Sequence, residues 1–192
     1  MGVERDTLNP GDHIYSYRQM HAFSHHGIYV GKGTVTTLNN EEVEISDAVI
    51  HFMGLGKFSN QTPCEICGHI PGRATGVVIT CLDCFLQRHS LYVYRYDVSY
   101  LKLRFKRSGT CSTNPSEAAE EVVETAFDYL KNQSFGKYNF FFRNCEDFAT
   151  YCKTGEAQSN QSAGFIFGFG LGGLFGYNVI KALYEGSSDQ DN

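Results

Sequence analysis

The chain of 192 residues has no run of basic side chains, and its 16 lysines and arginines stand against 21 aspartates and glutamates, a formal net charge of −5. Binding nucleic acid takes a concentrated positive surface that neutralises phosphates, so this balance argues against a nucleic-acid partner. The opening Met1-Gly2-Val3-Glu4-Arg5-Asp6 lacks the basic and apolar regions of a secretory signal. With seven cysteines, an odd number, the expectation is reduced thiols in an intracellular, cytoplasmic protein rather than a disulfide framework. Gly2 does not open a myristoylation motif, because Asp6 stands where Ser or Thr is required. Nor is a second domain needed, since one domain of this length buries roughly 70% of its unfolded surface.

What is present reads as strands first and helices last, an α+β domain with an antiparallel sheet packed on helices. Asn9-Pro10-Gly11-Asp12 is a turn leading into a strand at His13-Ile14-Tyr15-Ser16-Tyr17, and a second strand follows at about residues 24–31. Thr34–Leu38 and Glu42–Ile45 read as a hairpin about Asn39-Asn40, followed by a strand at Ala48–Phe52. Residues 54–72 read as loop, 76–80 as the approach to Cys81 and Cys84, and the alternation in Leu91–Tyr96 as a further strand. Asn114-Pro115-Ser116-Glu117 combines a capping Asn, a Pro at the first helical position and a Glu at the third. It heads a helix with Ala119, Val122, Val123, Ala126, Phe127 and Leu130 at helical spacing. Asn144 caps another, with Glu146 and Asp147 in its first turn, Lys153 in its last and Gly155 as its stop.

The second helix begins on Cys145, and far upstream lies the β-rich string Ser24-His25-His26-Gly27-Ile28-Tyr29-Val30-Gly31. A helix N-terminus offers unpaired N–H groups and the positive end of the macrodipole, both of which lower a thiol pKa. An imidazole nearby can then take the proton, and the pairing points to covalent acyl chemistry. His25 and His26 face opposite sides of a strand, so one of them at most meets Cys145, and the residues alone leave the choice open. A lone helical Cys is otherwise a small buried hydrophobe, which is the reading for Cys152.

Three strings in this order, His25-His26-Gly27-Ile28-Tyr29-Val30-Gly31, Val49-Ile50-His51-Phe52 and Asn144-Cys145-Glu146-Asp147-Phe148, resemble the lecithin retinol acyltransferase-like family in its plant branch, the NC-domain proteins. The resemblance covers about residues 8–155. It implies a permuted papain-like, NlpC-like fold and an enzyme that moves a fatty acyl group from a glycerophospholipid through a cysteine thioester. Carried over by position, Cys145 is the nucleophile, His25 the general base and His51 the third member that orients the imidazole. The Cys145 N–H would be one oxyanion donor. The sequence departs from the family at Asp147, where many animal members carry His, and at His26, which replaces an aromatic residue.

Cys64-Glu65-Ile66-Cys67 and Cys81-Leu82-Asp83-Cys84 are two CxxC units separated by 13 residues. Four thiolates at that spacing suit a closed tetrahedral zinc site, structural rather than catalytic, that staples the insertion at 54–90. Animal members of the family lack the quartet, so this expectation rests on spacing; His69 and Cys111 are reserve ligands, and a redox disulfide or free thiols are the other readings.

Residues 163–180 carry no charge, and Gly164, Gly168, Gly172 and Gly176 recur every fourth position. On a helix they form one narrow stripe of the kind that membrane helices pack through, and so they offer self-association. In water such glycines cost roughly 1 kcal/mol each in helix propensity, so a helix here calls for lipid or tight packing. The expected organisation is a catalytic domain at 8–155, a linker at 156–162, an apolar membrane-associated segment at 163–184 and an acidic tail at 185–192. The functional expectation is a thiol-dependent phospholipase or acyltransferase whose acyl donor is a phospholipid. The alternatives are a cysteine peptidase or amidase, and a non-enzymatic, zinc-stabilised membrane adaptor.

Overall fold

The computed structural model describes residues 2–18, 23–37, 40–56, 62–99, 110–139 and 143–155. The expected linker, the glycine-spaced segment and the acidic tail lie outside the described residues. Among the described residues no helix is long and apolar enough to cross a membrane.

Five antiparallel strands form one sheet, β1 (His13–Arg18), β2 (Phe23–Thr36), β3 (Glu42–Met53), β4 (Gly76–Cys81) and β5 (Tyr92–Val93), in the order β4-β3-β2-β1-β5. The expected α+β class and antiparallel sheet are present. The two middle strands are longer than expected: 24–31 and 34–38 merge into β2, and 42–45 and 48–52 into β3. Register shifts between Tyr29 and Gly31 and between Gly31 and Gly33 bend the pair without ending it. The strand expected at Leu91–Tyr96 shrinks to Tyr92–Val93, because Arg95 turns aside to bridge Cys111.

Three helices complete the domain, α1 (Leu82–Leu86), α2 (Ala119–Asn132) and α3 (Cys145–Thr154). The expected cap at Asn114 does not start α2, whose N-cap is Ala118 with no side-chain cap. The preceding segment is instead engaged elsewhere: Asn114 C=O accepts from Asp97 N–H, and Glu117 N–H donates to Lys153 C=O. Tertiary contacts here outweigh a local start signal. For α3 the expectation is met, with Asn144 and Asp147 forming a reciprocal capping box and Gly155 closing the helix at a φ of 72°.

Alternation along β2 and β3 sends their side chains into two clusters. Ile28, Val30, Ile50 and Phe52 pack with Val122, Ala126, Phe148 and Cys152 under α2 and α3. Tyr29 and Val49 pack with Ile14, Leu82, Phe85 and Leu86 beneath α1. Burial of this apolar surface, at about 25 cal/mol per Å², drives both packings.

Candidate active site and cysteine cluster

His25 and His51 project toward α1 and meet. His25 Nε2 lies 2.9 Å from His51 Nδ1, and His51 Nε2 lies 3.0 Å from Thr80 Oγ1. Phe85 of α1 covers both rings, with centroids 5.2 Å from His25 and 5.4 Å from His51. Gly27 makes that cover fit, since a Cβ there would come within 3.0 Å of both His51 Cβ and Phe85 Cε2.

His26 takes the other face and is fully engaged. Its Nδ1 is 2.8 Å from His13 Nε2, its Nε2 is 2.8 Å from Ser24 Oγ, and His13 Nδ1 is 2.8 Å from Tyr96 Oη. Both ring nitrogens of His26 are therefore engaged, by His13 and by Ser24. Among the described residues His25 hydrogen-bonds through Nε2, to His51, and Nδ1 is its other ring nitrogen.

Cys145 is buried at the start of α3 and comes from the other side of the sheet. Its thiol donates to the Ser24 carbonyl at 3.8 Å, on the residue next to His25, in the part of β2 that precedes the first β3 pairing at Ile28. Among the described residues its hydrogen-bond acceptor is this carbonyl and not an imidazole nitrogen. The expected acidic thiol is corrected: burial pushes the Cys145 pKa up to about 12, outweighing the backbone N–H groups that pull it down. Burial, then Arg18, lowers His25 to about 3, and burial also holds His51 well below the usual histidine value. These shifts favour the neutral thiol and neutral imidazoles.

Several participants escaped the sequence reading. Tyr138 interacts with Cys145 through its phenol, and its own pKa is raised, first by burial and then by that sulfur. Arg18 donates to the Leu86 carbonyl at 3.1 Å, to that of Phe85, and to Ser16 Oγ at 2.9 Å, so it holds the C-terminal end of α1. Nothing in local spacing marks either residue, because their partners lie far along the chain.

The four CxxC cysteines converge. Cys64 and Cys67 come from the loop before β4, Cys81 ends β4 and Cys84 sits in α1, and their sulfurs lie within 4.8 Å of one another. Cys64 and Cys81 sulfurs are 3.8 Å apart, and those of Cys67 and Cys84 are 3.6 Å apart. Disulfide sulfurs lie about 2.05 Å apart, so these are thiols, placed so that one metal ion could touch all four. Hydrogen bonds with Cys81 and then Cys84 hold Cys67 below the ordinary thiol value. Cys111 lies outside the cluster, and Cys152 is core as expected.

The sequence profile of the lecithin retinol acyltransferase family matches residues 6–158, most of the chain and all of the elements just described. The chain belongs to the lecithin retinol acyltransferase family. It is also 40% identical over 156 residues to Protein LEAD-SENSITIVE 1 of Arabidopsis thaliana, an alignment covering 79% of this chain. The chain spans 60% of the length of that relative. Membership in the lecithin retinol acyltransferase family suggests acyltransferase or phospholipase-type activity, and the strings that carried the resemblance are those that build this site.

Proposed function

We propose that the protein is a thiol-dependent phospholipase or acyltransferase of permuted papain-like fold, in which Cys145 takes a fatty acyl group from a glycerophospholipid. The observation that carries the reading is the hydrogen bond between His25 on β2 and His51 on β3, next to the Ser24 carbonyl of β2 that holds the Cys145 thiol. In the productive arrangement His25 keeps its proton on Nε2, donating to His51 Nδ1, and His51 donates through Nε2 to Thr80. That leaves a lone pair on His25 Nδ1 to accept the thiol proton as sulfur attacks the ester carbonyl. The C–S bond forms, and the proton passes from His25 to the departing lysophospholipid oxygen as the C–O bond breaks. Water or an acceptor hydroxyl, deprotonated in turn by His25, then releases the acyl group and restores the thiol. The Cys145 N–H at the helix start, with the Tyr138 phenol beside it, offers donors to the tetrahedral oxyanion.

Zinc is the metal that best fits the cysteine quartet. Zinc–sulfur bonds of about 2.3 Å give a tetrahedron with edges of about 3.8 Å, close to the observed sulfur separations. Four protein thiolates leave no open position, so the ion would serve structure. Residues 163–180 would bring the enzyme to its substrate by associating with the bilayer.

The test is mass spectrometry of the protein mixed with phosphatidylcholine vesicles. A fatty acyl adduct on Cys145, absent in Cys145→Ala, and release of lysolipid are expected. Turnover that survives in Cys145→Ala would refute the reading. Acylation by peptide amides but not by lipid esters would favour a peptidase, and failure of any acyl donor to label Cys145 would leave a binding protein.

A further inference from the structure

The four-cysteine cluster and the imidazole pair adjoin each other in sequence at two points. Thr80, which bonds His51, precedes Cys81, and Phe85, which covers both rings, follows Cys84. The link between them is α1, a helix of only five residues. An isolated helix that short does not hold itself in water, because nucleation costs more than one turn returns. Its position is imposed from outside, by the burial of Leu82, Phe85 and Leu86, by Arg18 at its C-terminal carbonyls and by the cysteine cluster, which includes Cys81 at its N-cap and Cys84 within it.

We infer that Thr80 and Phe85 are positioning residues for the His25–His51 pair, and that a metal ion on Cys64, Cys67, Cys81 and Cys84 holds them in place and so sets the direction of the proton relay. This rests on the acyl-transfer reading for its catalytic consequence, though not for its geometry. A hydroxyl can accept or donate, and the role assigned to Thr80 Oγ1 here is that of acceptor. While it accepts from His51 Nε2–H, His51 Nδ1 is a lone pair, His25 carries its proton on Nε2, and the lone pair on His25 Nδ1 is free for the thiol. Without that acceptor His51 is released to carry its proton on Nδ1 and donate to His25 Nε2, which forces the His25 proton onto Nδ1. The base is then blocked although every atom of the Cys-His-His set remains. Phe85 acts differently, excluding water that would otherwise satisfy either tautomer.

The experiment reads the His25 tautomer by ¹⁵N NMR of the ring nitrogens, together with the rate of Cys145 acylation by phosphatidylcholine. Full-length protein is compared as purified, stripped with a chelator, and reloaded with Zn²⁺, alongside Thr80→Val and Thr80→Ser. In Thr80→Val the His25 proton is expected to move from Nε2 to Nδ1 and kcat to fall roughly 100-fold, the usual worth of a general base, with KM little changed. Thr80→Ser should restore both. Stripping should produce the same tautomer shift, and Zn²⁺ should reverse it.

An unchanged tautomer in folded Thr80→Val would overturn the role of Thr80. Failure to bind Zn²⁺, or binding that leaves the ring signals unmoved, overturns the role of the metal. If Thr80→Val does not fold, the stripped and reloaded protein decides between the same outcomes. Should the tautomers respond while no form of the protein is acylated, the positioning stands and the acyl-transfer reading falls.

Discussion

Gly27 shows how narrow the tolerances of the site are. It lies beneath the contact of Phe85 with His51, and a Cβ added there would sit 2.8 Å from Val49 Cγ1 and 3.0 Å from both His51 Cβ and Phe85 Cε2. These atoms belong to a packed interior, and overpacking of that kind costs about 1–3 kcal/mol. Gly27→Ala should therefore lower the unfolding free energy read from urea denaturation by that much and slow Cys145 acylation together, because relief of the clash moves His51. A variant as stable as the parent would show that the face beneath α1 is looser than these distances require. At this scale the meeting of His25 with His51, the place of Cys145 at a helix start and the convergence of the cysteine quartet were legible, each from a string of neighbours. Tyr138, Arg18, Thr80 and Phe85 were not, since an apolar ring or a threonine acquires its role only from partners brought in by the sheet.

Among the elements, α3 carries its own instructions and α2 does not. Asn144 accepts from the N–H groups of Glu146 and Asp147, and the Asp147 carboxylate accepts from Asn144 N–H at 2.9 Å, so the cap is complete within four residues. This local closure is why the start of α3 could be read from the sequence. The start of α2 was misread because Asn114 and Glu117 spend their backbone groups on Asp97 and Lys153, contacts invisible to a local pattern. Likewise β2 and β3 looked like four short strands, because the register shifts about Gly31 interrupt the alternation while the strands run on. The cap of α3 also fixes the N–H of Cys145. Asn144→Ala is expected to cost about 1–2 kcal/mol in chemical denaturation, and Asn144→Asp to recover most of it. If Asn144→Ala lost no stability, the capping box would be incidental to the placement of Cys145.

Among the described residues two imidazole chains, one on each face of β2, are buried or half-buried, and both favour the neutral form. His13 and His26, bonded to each other and ending on Tyr96 and Ser24, are fully buried; burial lowers His26 to about 3 and His13 well below the ordinary value of 6.5. Lys153 adds to the shift in His13. Unfolded, each of these rings binds a proton as the pH drops through about 6.5, whereas folded, neither does until far lower. The unfolded chain then holds more protons, and stability must fall as the pH falls. Across pH 7.5 to 5.5 the loss is on the order of 1 kcal/mol for each such histidine, and the lowered values of His25, His51 and His69 carry the same sign. A domain with ordinary stability of about 5–15 kcal/mol would lose a large part of it before its carboxylates begin to protonate. Urea unfolding followed at pH 7.5, 6.5 and 5.5 should show a midpoint that falls steadily, with a shallower fall in a His13→Phe, His26→Phe double variant if that variant folds. A parent midpoint that stays level over this range would mean that the two chains ionise inside the fold, and that the neutral imidazoles which the proposed relay requires are not maintained.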